Sequence, residues 1–399
     1  MARDPGARPR LLVLGAGPAQ LGLLEAARAL ADLDVIAVDR DPSAPGFPLA
    51  DERAVLSSED EEGIDRLARA RRVDGIVSPG ADWPVGIAAR VAGRIGLPHP
   101  IDARTGSVAT SKARQREAFA AAGVPHARAL DPRTAAVPVP CVVKAPDRQG
   151  QRGLALVRSP EELEPALAAA RAESRSGSVL VEELVDGPEL TVNAFSQEGR
   201  FVPFTVTDRL TAEPPAFGVA LAHVWPSAHE TRDVVETARA AVEAVGIREG
   251  ASYTQVRLGA AGPVVMEVAA RLGGGHDAEL CEAAMGVDLN GLAIDAALGR
   301  ASNRLLQAPS DPVGGAAVVF LVPPVGRLAA VEGTEDAKAV DGVSWVRLYR
   351  RPGHVFGPLR RGADRAGAVL ATGASSGEAL ERARRAADVV RFRVDADAS

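Results

Sequence analysis

Two charged side chains interrupt an apolar stretch of the chain, and their spacing could serve chemistry. The segment VVMEVAAR places Glu267 and Arg271 four residues apart in a run typical of a buried β-strand. Side chains at every second position of a strand share a face, so we expect both to point the same way. Because a buried acid and base are costly unless paired or liganded, the segment predicts either a structural ion pair or a site for an ionic ligand.

Two lysines and a glycine-containing loop add groups that suit a polyanion. Lys112 lies near the start of a predicted helix, SKARQREAFAAAG, and Lys144 lies on a predicted strand, CVVKAP. The segment QGQRG, which contains Gly150 and Gly153, predicts a turn before the next strand. Ammonium groups on flexible stems suit phosphates, and a glycine loop can close over them without side-chain clashes.

More acids occur farther along, in the segment VEELVDGPELTV, which contains Glu182, Glu183 and Glu189. The pattern predicts a strand, a tight Gly-Pro turn and a second strand. Gln255 lies in another predicted strand, YTQVRL. Taken alone, Glu182 and Glu183 are also compatible with ordinary charged residues at a strand edge.

The hydrophobic pattern predicts the elements that carry these residues. Short apolar strands alternate with helices up to about residue 100, which indicates parallel βαβ units. From Val139 to Val192 the pattern changes to short β runs and turns. The helix in SPEELEPALAAARAES is predicted to begin with Ser159 as N-cap and Glu162 completing a capping box. A last helix is predicted from about Ser376, with i, i+4 Glu–Arg pairs on a solvated face.

Composition excludes several functional classes. The chain has 399 residues, a net charge of −6 and only 4% aromatic residues, which argues against nucleic-acid and membrane-surface binding. Cys141 and Cys281 have no zinc or disulfide spacing, which favours a reducing, cytoplasmic location. No apolar stretch is long enough to span a membrane. A chain of this length predicts two to four domains.

The N-terminal segment GAGPAQ, followed by Asp39, resembles a dinucleotide-binding fingerprint. Gln20 occupies the place of the third glycine, so the motif is incomplete. An incomplete fingerprint is a weak signal, and Gly15 and Gly17 are explained by the tight turn of a first βα unit. We therefore do not predict NAD binding.

Taken in order, the other motifs resemble the ATP-grasp superfamily, and most of all the L-amino-acid ligases and related carboxylate–amine ligases. The order is specific: a first lysine, a strand ending in Val-Lys, a glycine loop, the hinge EELVDGPE, and an acidic strand ending in arginine. The C-terminal segment AAVVFLVPPVGRLAAVEG also resembles the closing domain of L-amino-acid ligases. The resemblance extends from Leu11 to about Val394.

The resemblance implies an α/β ATP-grasp fold with four parts. These are an N-terminal Rossmann-like pre-ATP-grasp domain over residues 1–110, a small β-rich lid over 111–190, a central α+β catalytic subdomain over 191–305, and a C-terminal α+β ligase-type domain over 306–399. It also implies ATP and Mg²⁺ or Mn²⁺ as cofactors, with a small-molecule carboxylate and an amine as substrates. A homodimer is compatible with it.

The resemblance also implies roles for the nucleotide-binding residues. Lys112 and Lys144 would contact the ATP phosphates beneath a lid loop that contains Gly150 and Gly153. The hinge would bind the nucleoside, through the adenine amino group, the adenine edge and the ribose hydroxyls. The hinge residues given these contacts are Glu182, Glu183, Val185 through its backbone, and Glu189.

The remaining roles concern the reaction. Glu267 would bind a metal ion that bridges the phosphates, with Gln255 in the other metal-ligand position, and Arg271 would steady the carboxylate and the transferring phosphoryl group. Ala269 departs from the family pattern E-x-N-x-R, which leaves one or two metal ions open. His276 and His223 are candidates to line the substrate pocket.

The implied activity is formation of an amide or peptide bond through an acyl phosphate, with release of ADP. Two alternatives stay open from the sequence. One is an enzyme like biotin carboxylase or carbamoyl phosphate synthetase. A glutamine at the metal-ligand position, as at Gln255, resembles the carbamoyl phosphate synthetase variant. The other is a degenerate ATP-binding protein without turnover, which Ala269 and Gln255 together suggest.

Overall fold

The computed structural model describes residues 8–133, 137–302 and 312–395. Its N-terminal part is a parallel four-stranded sheet in the order β3-β2-β1-β4, flanked by helices. The elements are β1 (Arg10–Leu14), α1 (Leu21–Ala29), β2 (Asp34–Asp39), β3 (Glu52–Val55), α2 (Glu61–Arg71), β4 (Gly75–Val77), α3 (Asp82–Ile95), α4 (Ala103–Ala109) and α5 (Lys112–Ala122). The predicted parallel βαβ units are confirmed, although the sequence analysis did not identify β3.

A second, smaller sheet is antiparallel and has the order β5-β8-β6-β7. Its elements are β5 (Ala129–Leu130), β6 (Cys141–Lys144), β7 (Ala155–Val157), α6 (Leu163–Glu173) and β8 (Leu180–Glu183). The predicted capping box is wrong, because Ser159 makes no side-chain cap and a short 3₁₀ turn precedes α6. Glu162 instead accepts a hydrogen bond from the backbone N–H of Arg158 at 2.7 Å.

The largest sheet is antiparallel and has eight strands in the order β13-β12-β9-β10-β11-β14-β18-β16. A separate three-stranded sheet has the order β17-β15-β19. The elements are β9 (Glu189–Gln197), β10 (Arg200–Thr211), β11 (Ala220–Trp225), α7 (Arg232–Val245), β12 (Gly250–Gly259), β13 (Gly262–Ala269), α8 (Asp277–Met285), α9 (Leu289–Ala297), β14 (Gly315–Leu321), β15 (Gly326–Glu332), α10 (Thr334–Lys338), β16 (Val343–Leu348), β17 (Val355–Phe356), β18 (Gly367–Gly373), α11 (Ser376–Val389) and β19 (Arg391–Asp395).

Helices cover this large sheet because their apolar residues recur at helical spacing. On α11, Ala379, Ala383 and Ala386 are buried against β14 and β18. The exposed face of α11 carries the predicted Glu378–Arg382 and Glu381–Arg385 ion pairs, at 2.9 and 3.2 Å. No helix among the described residues is long and apolar enough to cross a membrane.

The hinge segment between β8 and β9 joins two different sheets. The sequence pattern around the Gly-Pro turn could also suit a hairpin, but β8 pairs with β5 and β6, whereas β9 pairs with β10 and β12. Strands β11 and β14 pair across the boundary proposed between residues 305 and 306, so one sheet serves both flanking regions. The boundary itself lies outside the described residues, and the four domain limits stay a prediction.

Candidate functional site

Lys112 and Glu267 form an ion pair between distant parts of the chain. Lys112 is the first residue of α5, and the side chain of Ser111 caps this helix. The Lys112 Nζ atom donates hydrogen bonds of 2.8 Å to Glu267 Oε1 and to the carbonyl oxygen of Arg148. Burial would raise the pKa of Glu267, but the positive charge of Lys112 lowers it below its usual range. Glu267 is therefore a carboxylate at neutral pH.

Lys144, Glu182 and Arg116 form a buried cluster on the small sheet and α5. The Glu182 side chain is only 1% exposed, and its two oxygens contact Lys144 Nζ and the Arg116 guanidinium. Arg116 also donates to the carbonyl oxygen of Met266 at 2.8 Å. Burial lowers the pKa of Lys144, and Glu182 offsets part of this effect. The cluster therefore places the ammonium group of Lys144 next to the hinge.

The other hinge residues point in different directions. Glu189 lies at the start of β9 and contacts Arg209 at 2.7 Å and Arg257 at 3.2 Å. The carbonyl oxygen of Val185 accepts a hydrogen bond from Arg257 at 3.1 Å. Glu183 is 39% exposed and pairs with Arg128 at 3.2 Å, so it is more accessible than Glu182 and Glu189.

Gln255 and Glu267 lie directly opposite each other on the antiparallel strands β12 and β13. Opposed residues of such strands project to the same face, so the amide and the carboxylate are neighbours. The expectation that Arg271 lies on the same strand as Glu267 is wrong, because β13 ends at Ala269. The chain bends there, and Arg271 Nε donates to Asp82 Oδ1 at 2.7 Å.

The loop that contains Gly150 and Gly153 is folded through left-handed backbone conformations. Gly150, Gln151 and Gly153 have φ values of +66°, +65° and +65°. A side chain at Gly150 would meet open space, whereas a Cβ at Gly153 would lie 3.0 Å from the Cβ of Ala145. In the same loop, the side-chain oxygen of Gln149 accepts a hydrogen bond from the backbone N–H of Asp82.

Two adjoining cavities collect the predicted site residues. A smaller cavity of about 160 Å³ is lined by all the predicted nucleotide, metal and reaction residues except Gly153. A larger cavity of about 430 Å³ shares Lys112, Gln255, Glu267 and Arg271 with it and extends to the N-terminal and C-terminal parts of the chain. Gly153 packs outside both linings.

The two histidines differ in position. His223, on β11, lines the larger cavity, is 1% exposed, and has Nδ1 3.2 Å from Asp277 Oδ1. Burial would raise the pKa of Asp277, but the His223 imidazole lowers it to about 2. His276 lines neither cavity, because its ring contacts Glu279 and the Tyr349 hydroxyl in the protein interior.

Sequence reasoning missed several residues that hold the site together. Arg116 follows Lys112 by four residues, so both lie on one face of α5, and this spacing could have identified it. Asp82 gave no such signal, since its partner Arg271 is 189 positions away, and the pairing of Arg209 with Glu189 depends on the register of β9 and β10. In the GAGPAQ segment, Asp39 accepts a hydrogen bond from the backbone N–H of Ala16 at 2.9 Å, which agrees with a structural role.

Two family models match separate segments of the chain. Residues 137–279 match the model of the ATP-grasp domain, and residues 319–395 match the model of the L-amino acid ligase C-terminal domain 2. The segment 137–279 is therefore similar to an ATP-grasp domain, and the C-terminal segment is similar to that of L-amino acid ligases. The predicted α/β fold, with a parallel N-terminal sheet and antiparallel sheets elsewhere, is confirmed by the strand pairing and by similar solved structures.

Three known proteins are similar to the chain over nearly all of its length. The formate-dependent phosphoribosylglycinamide formyltransferase of Burkholderia cenocepacia is 29% identical, over 96% of this chain and 95% of its own. The structure of the L-amino acid ligase from Bacillus licheniformis has a TM-score of 0.84 at 21% identity, covering 99% of this chain and 100% of that chain. The biotin carboxylase domain of Hydrogenobacter thermophilus 2-oxoglutarate carboxylase, solved with MgADP, has a TM-score of 0.75 at 18% identity, covering 96% and 90%.

Proposed function

We propose that the protein is an ATP-dependent carboxylate–amine ligase that forms an amide or peptide bond through an acyl phosphate and releases ADP. The observation that carries this proposal is that Lys112, Lys144, Glu267 and Arg271 line one cavity, next to a larger one. Cations beside a carboxylate suit the phosphates of a metal–nucleotide complex, and the larger cavity leaves room for an acceptor. The similarity to an L-amino acid ligase supports the same reaction class.

The nucleotide is proposed to lie between the small sheet and the eight-stranded sheet. Lys112 and Lys144 bind phosphate oxygens, and the loop 149–153 covers them. The hinge backbone at Val185 contacts the adenine edge, and Glu189 binds the ribose hydroxyls. Because Glu182 already contacts Lys144 and Arg116, accepting a hydrogen bond from adenine requires its carboxylate to exchange one of these contacts.

Gln255 and Glu267 are proposed to hold a hard divalent cation, Mg²⁺ or Mn²⁺. An amide oxygen and a charged carboxylate on neighbouring strands fit such an ion, which usually keeps several water or phosphate ligands. When bound, the metal neutralises charge on the phosphates. Ala269 is buried and supplies no ligand, so the side chains present favour one ion.

The reaction is proposed to begin with a carboxylate oxygen of the substrate, which attacks the γ-phosphorus of ATP. ADP leaves, and the acyl phosphate forms. An amine nitrogen then attacks the carbonyl carbon, and the carbon–oxygen bond breaks with release of phosphate. Arg271, held by Asp82, faces the charge that develops during phosphoryl transfer, so the pair positions a cation in advance.

The attacking amine must lose a proton, and His223 is proposed to accept it. The Asp277 carboxylate lies beside Nδ1, and Nε2 lies beside Gly275, which also lines the larger cavity. A neutral imidazole held by a carboxylate is a common proton acceptor in enzymes. His276 is instead proposed to be structural, since Glu279 and Tyr349 engage both its ring nitrogens.

The test is ADP release from ATP and Mg²⁺ across a matrix of carboxylates and amines, including the common L-amino acids in pairs. The ligase proposal expects ADP release that requires both partners and yields an equal amount of amide. ADP release with bicarbonate alone would favour a carboxylase. Normal ATP binding without ADP release in any combination would favour the binding protein suggested by Ala269.

A further inference from the structure

The larger cavity is strongly basic, although the whole chain is acidic, with a net charge of −6. Ten arginine and lysine side chains line this cavity, against five aspartate and glutamate side chains. A concave surface of one sign concentrates ligands of the opposite sign. The excess of positive charge is local to this cavity, so it indicates the charge of the ligand that the cavity binds.

The five acids do not neutralise the excess, because each already has partners. Glu59 contacts Arg175, Asp82 contacts Arg271, and Glu267 contacts Lys112. Asp39 accepts hydrogen bonds from the backbone N–H groups of Ala16 and Asp41, and Asp147 accepts them from the Ser174 hydroxyl and the backbone of residues 175 and 176. Of the other cations, Arg209 pairs with Glu189, and three more arginines donate hydrogen bonds to backbone carbonyl oxygens: Arg148, Arg350 and Arg365.

Three arginines from three separate parts of the fold remain at this cavity. Arg40 follows β2, Arg152 lies in the loop 149–153, and Arg361 lies before β18. Within the described residues, Arg40 and Arg152 make no side-chain hydrogen bond or ion pair, and Arg361 has Asp364 at 3.8 Å. Burial, followed by the charges of Arg148, Arg361 and Arg40, lowers the pKa of Arg152. The Arg152 guanidinium is therefore repelled by those of Arg40 and Arg361.

ATP does not account for this set. Arg40 and Arg361 line only the larger cavity and not the smaller one that is proposed for the nucleotide. The phosphates already have Lys112, Lys144 and a metal ion as proposed partners. Arg152 lines both cavities, so the arginine set extends from the proposed nucleotide site into the larger cavity.

We propose that Arg40, Arg152 and Arg361 bind a second anionic group of the substrate, a phosphate monoester or an additional carboxylate, remote from the carboxylate that is activated. Guanidinium groups recognise both anions through paired, charge-assisted hydrogen bonds. Because Arg152 belongs to the loop over the nucleotide, an anion that bridges it to Arg40 and Arg361 removes their repulsion and favours a closed loop. This inference rests on the proposed ligase activity.

Calorimetry with matched probes tests the substrate class. Wild-type protein is first saturated with Mg²⁺ and a non-hydrolysable ATP analogue, whose own binding checks the nucleotide site separately. O-phospho-L-serine is then compared with L-serine, and L-glutamate with L-glutamine. We expect at least one anionic probe to bind about tenfold or more tightly than its neutral counterpart. The pair of probes with the larger difference in affinity shows whether the site prefers a phosphate or a carboxylate.

Arg40→Gln and Arg361→Gln test the residues, with the exposed Arg351→Gln, outside both cavities, as the matched control. We expect the two cavity variants to weaken the anionic probe about tenfold and to leave the ATP analogue and the neutral probe unchanged. Equal binding of anionic and neutral probes, no binding of either anionic probe, or equal effects of all three variants would overturn the inference. Failure of the ATP analogue to bind would instead overturn the proposed function.

Discussion

Lys144 is a buried ammonium group whose only carboxylate contact within the described residues is Glu182. Glu182 is shared with Arg116, so its negative charge stays balanced if a ligand attracts Lys144 away. A buried lysine held in this way can move towards a phosphate without leaving an unpaired acid behind. At the residue scale, the site is therefore a set of exchangeable ion pairs.

Replacing Lys144 with Ala tests this arrangement. Loss of one charge-assisted phosphate contact costs about 1.5–3 kcal/mol, so we expect ATP to bind at least about tenfold more weakly. The melting temperature should fall little, because Arg116 still neutralises Glu182. Calorimetry and thermal melting measure both effects, with the exposed Lys338→Ala as control. Normal ATP binding by the Lys144 variant would mean that the lysine is only structural.

His223→Gln separates the two halves of the proposed reaction. An ordinary ammonium substrate must lose a proton before it attacks, whereas hydroxylamine is already mostly neutral at pH 7. We expect amide formation to fall about 10²-fold or more, and trapping of the acyl phosphate by hydroxylamine to change little. Comparing the two rates on one preparation makes the measurement. Equal loss of both rates would contradict a role for His223 as proton acceptor.

The loop 149–153 is the element whose backbone conformation can be tested most directly. Ala at either glycine must adopt a positive φ, which costs about 1–2 kcal/mol. At Gly153 the new methyl group would also press on Ala145 and Glu173. We therefore expect Gly153→Ala to lower the unfolding free energy more than Gly150→Ala, as measured by urea denaturation. The opposite order would contradict the described loop.

A second element, α8, contacts the C-terminal strand β16 through Glu279, and β16 in turn contacts the N-terminal helix α1. The Glu279 carboxylate contacts His276 and Arg347, and Arg347 also contacts Glu25 on α1. Burial would raise the pKa of Glu279, but His276 first and Arg347 second lower it from 4.5 to about 2. The ionised Glu279 carboxylate therefore stabilises the folded protein fully above about pH 4.5, and this contribution to the unfolding free energy is lost as the pH falls towards 2.

Glu279→Gln removes this stabilisation. We expect the unfolding free energy to drop by about 3 kcal/mol at neutral pH, and the difference from wild type to shrink as the pH falls below about 4.5. Urea denaturation over a pH series provides the measurement. Glu335→Gln, at a surface pair with Lys338, is the control and should change stability by less than about 1 kcal/mol. A difference that is independent of pH would contradict the assigned cause.

At the scale of the whole molecule, local patterns predicted more than long-range pairing did. Alternating strands and helices predicted the parallel sheet, and the order of motifs predicted the residues that line the smaller cavity. The partner of Arg271 was not predictable, because Asp82 is 189 positions away and is the first residue of α3. The sequence analysis also missed that β13 ends at Ala269. Arg271 lies beyond the strand and contacts Asp82, a partner that the sequence does not reveal.

The large sheet also explains why domain limits are hard to predict from the chain. Strand β14 follows the region 303–311 but pairs with β11, so the C-terminal strands extend the sheet that carries Gln255 and Glu267. A change in sequence pattern marks a change of element type, and it does not show which sheet the next strand joins. The sequence did not reveal the arginine set at the larger cavity either. Arg40, Arg152 and Arg361 are far apart in the chain, and only the folded structure brings them to one cavity.

The central claim is that this cleft activates a carboxylate as an acyl phosphate, and trapping with hydroxylamine tests it most directly. Wild-type protein with ATP, Mg²⁺, hydroxylamine and a panel of carboxylates, including amino acids and their phosphorylated forms, is assayed for hydroxamate and ADP. We predict ATP-dependent hydroxamate equal to the ADP released, a loss of about 10²–10³-fold in Glu267→Gln and Arg271→Ala, and normal rates in Arg351→Gln. Hydroxamate absent from every reaction while ATP binds normally, or loss in the two variants only through unfolding, would contradict the account.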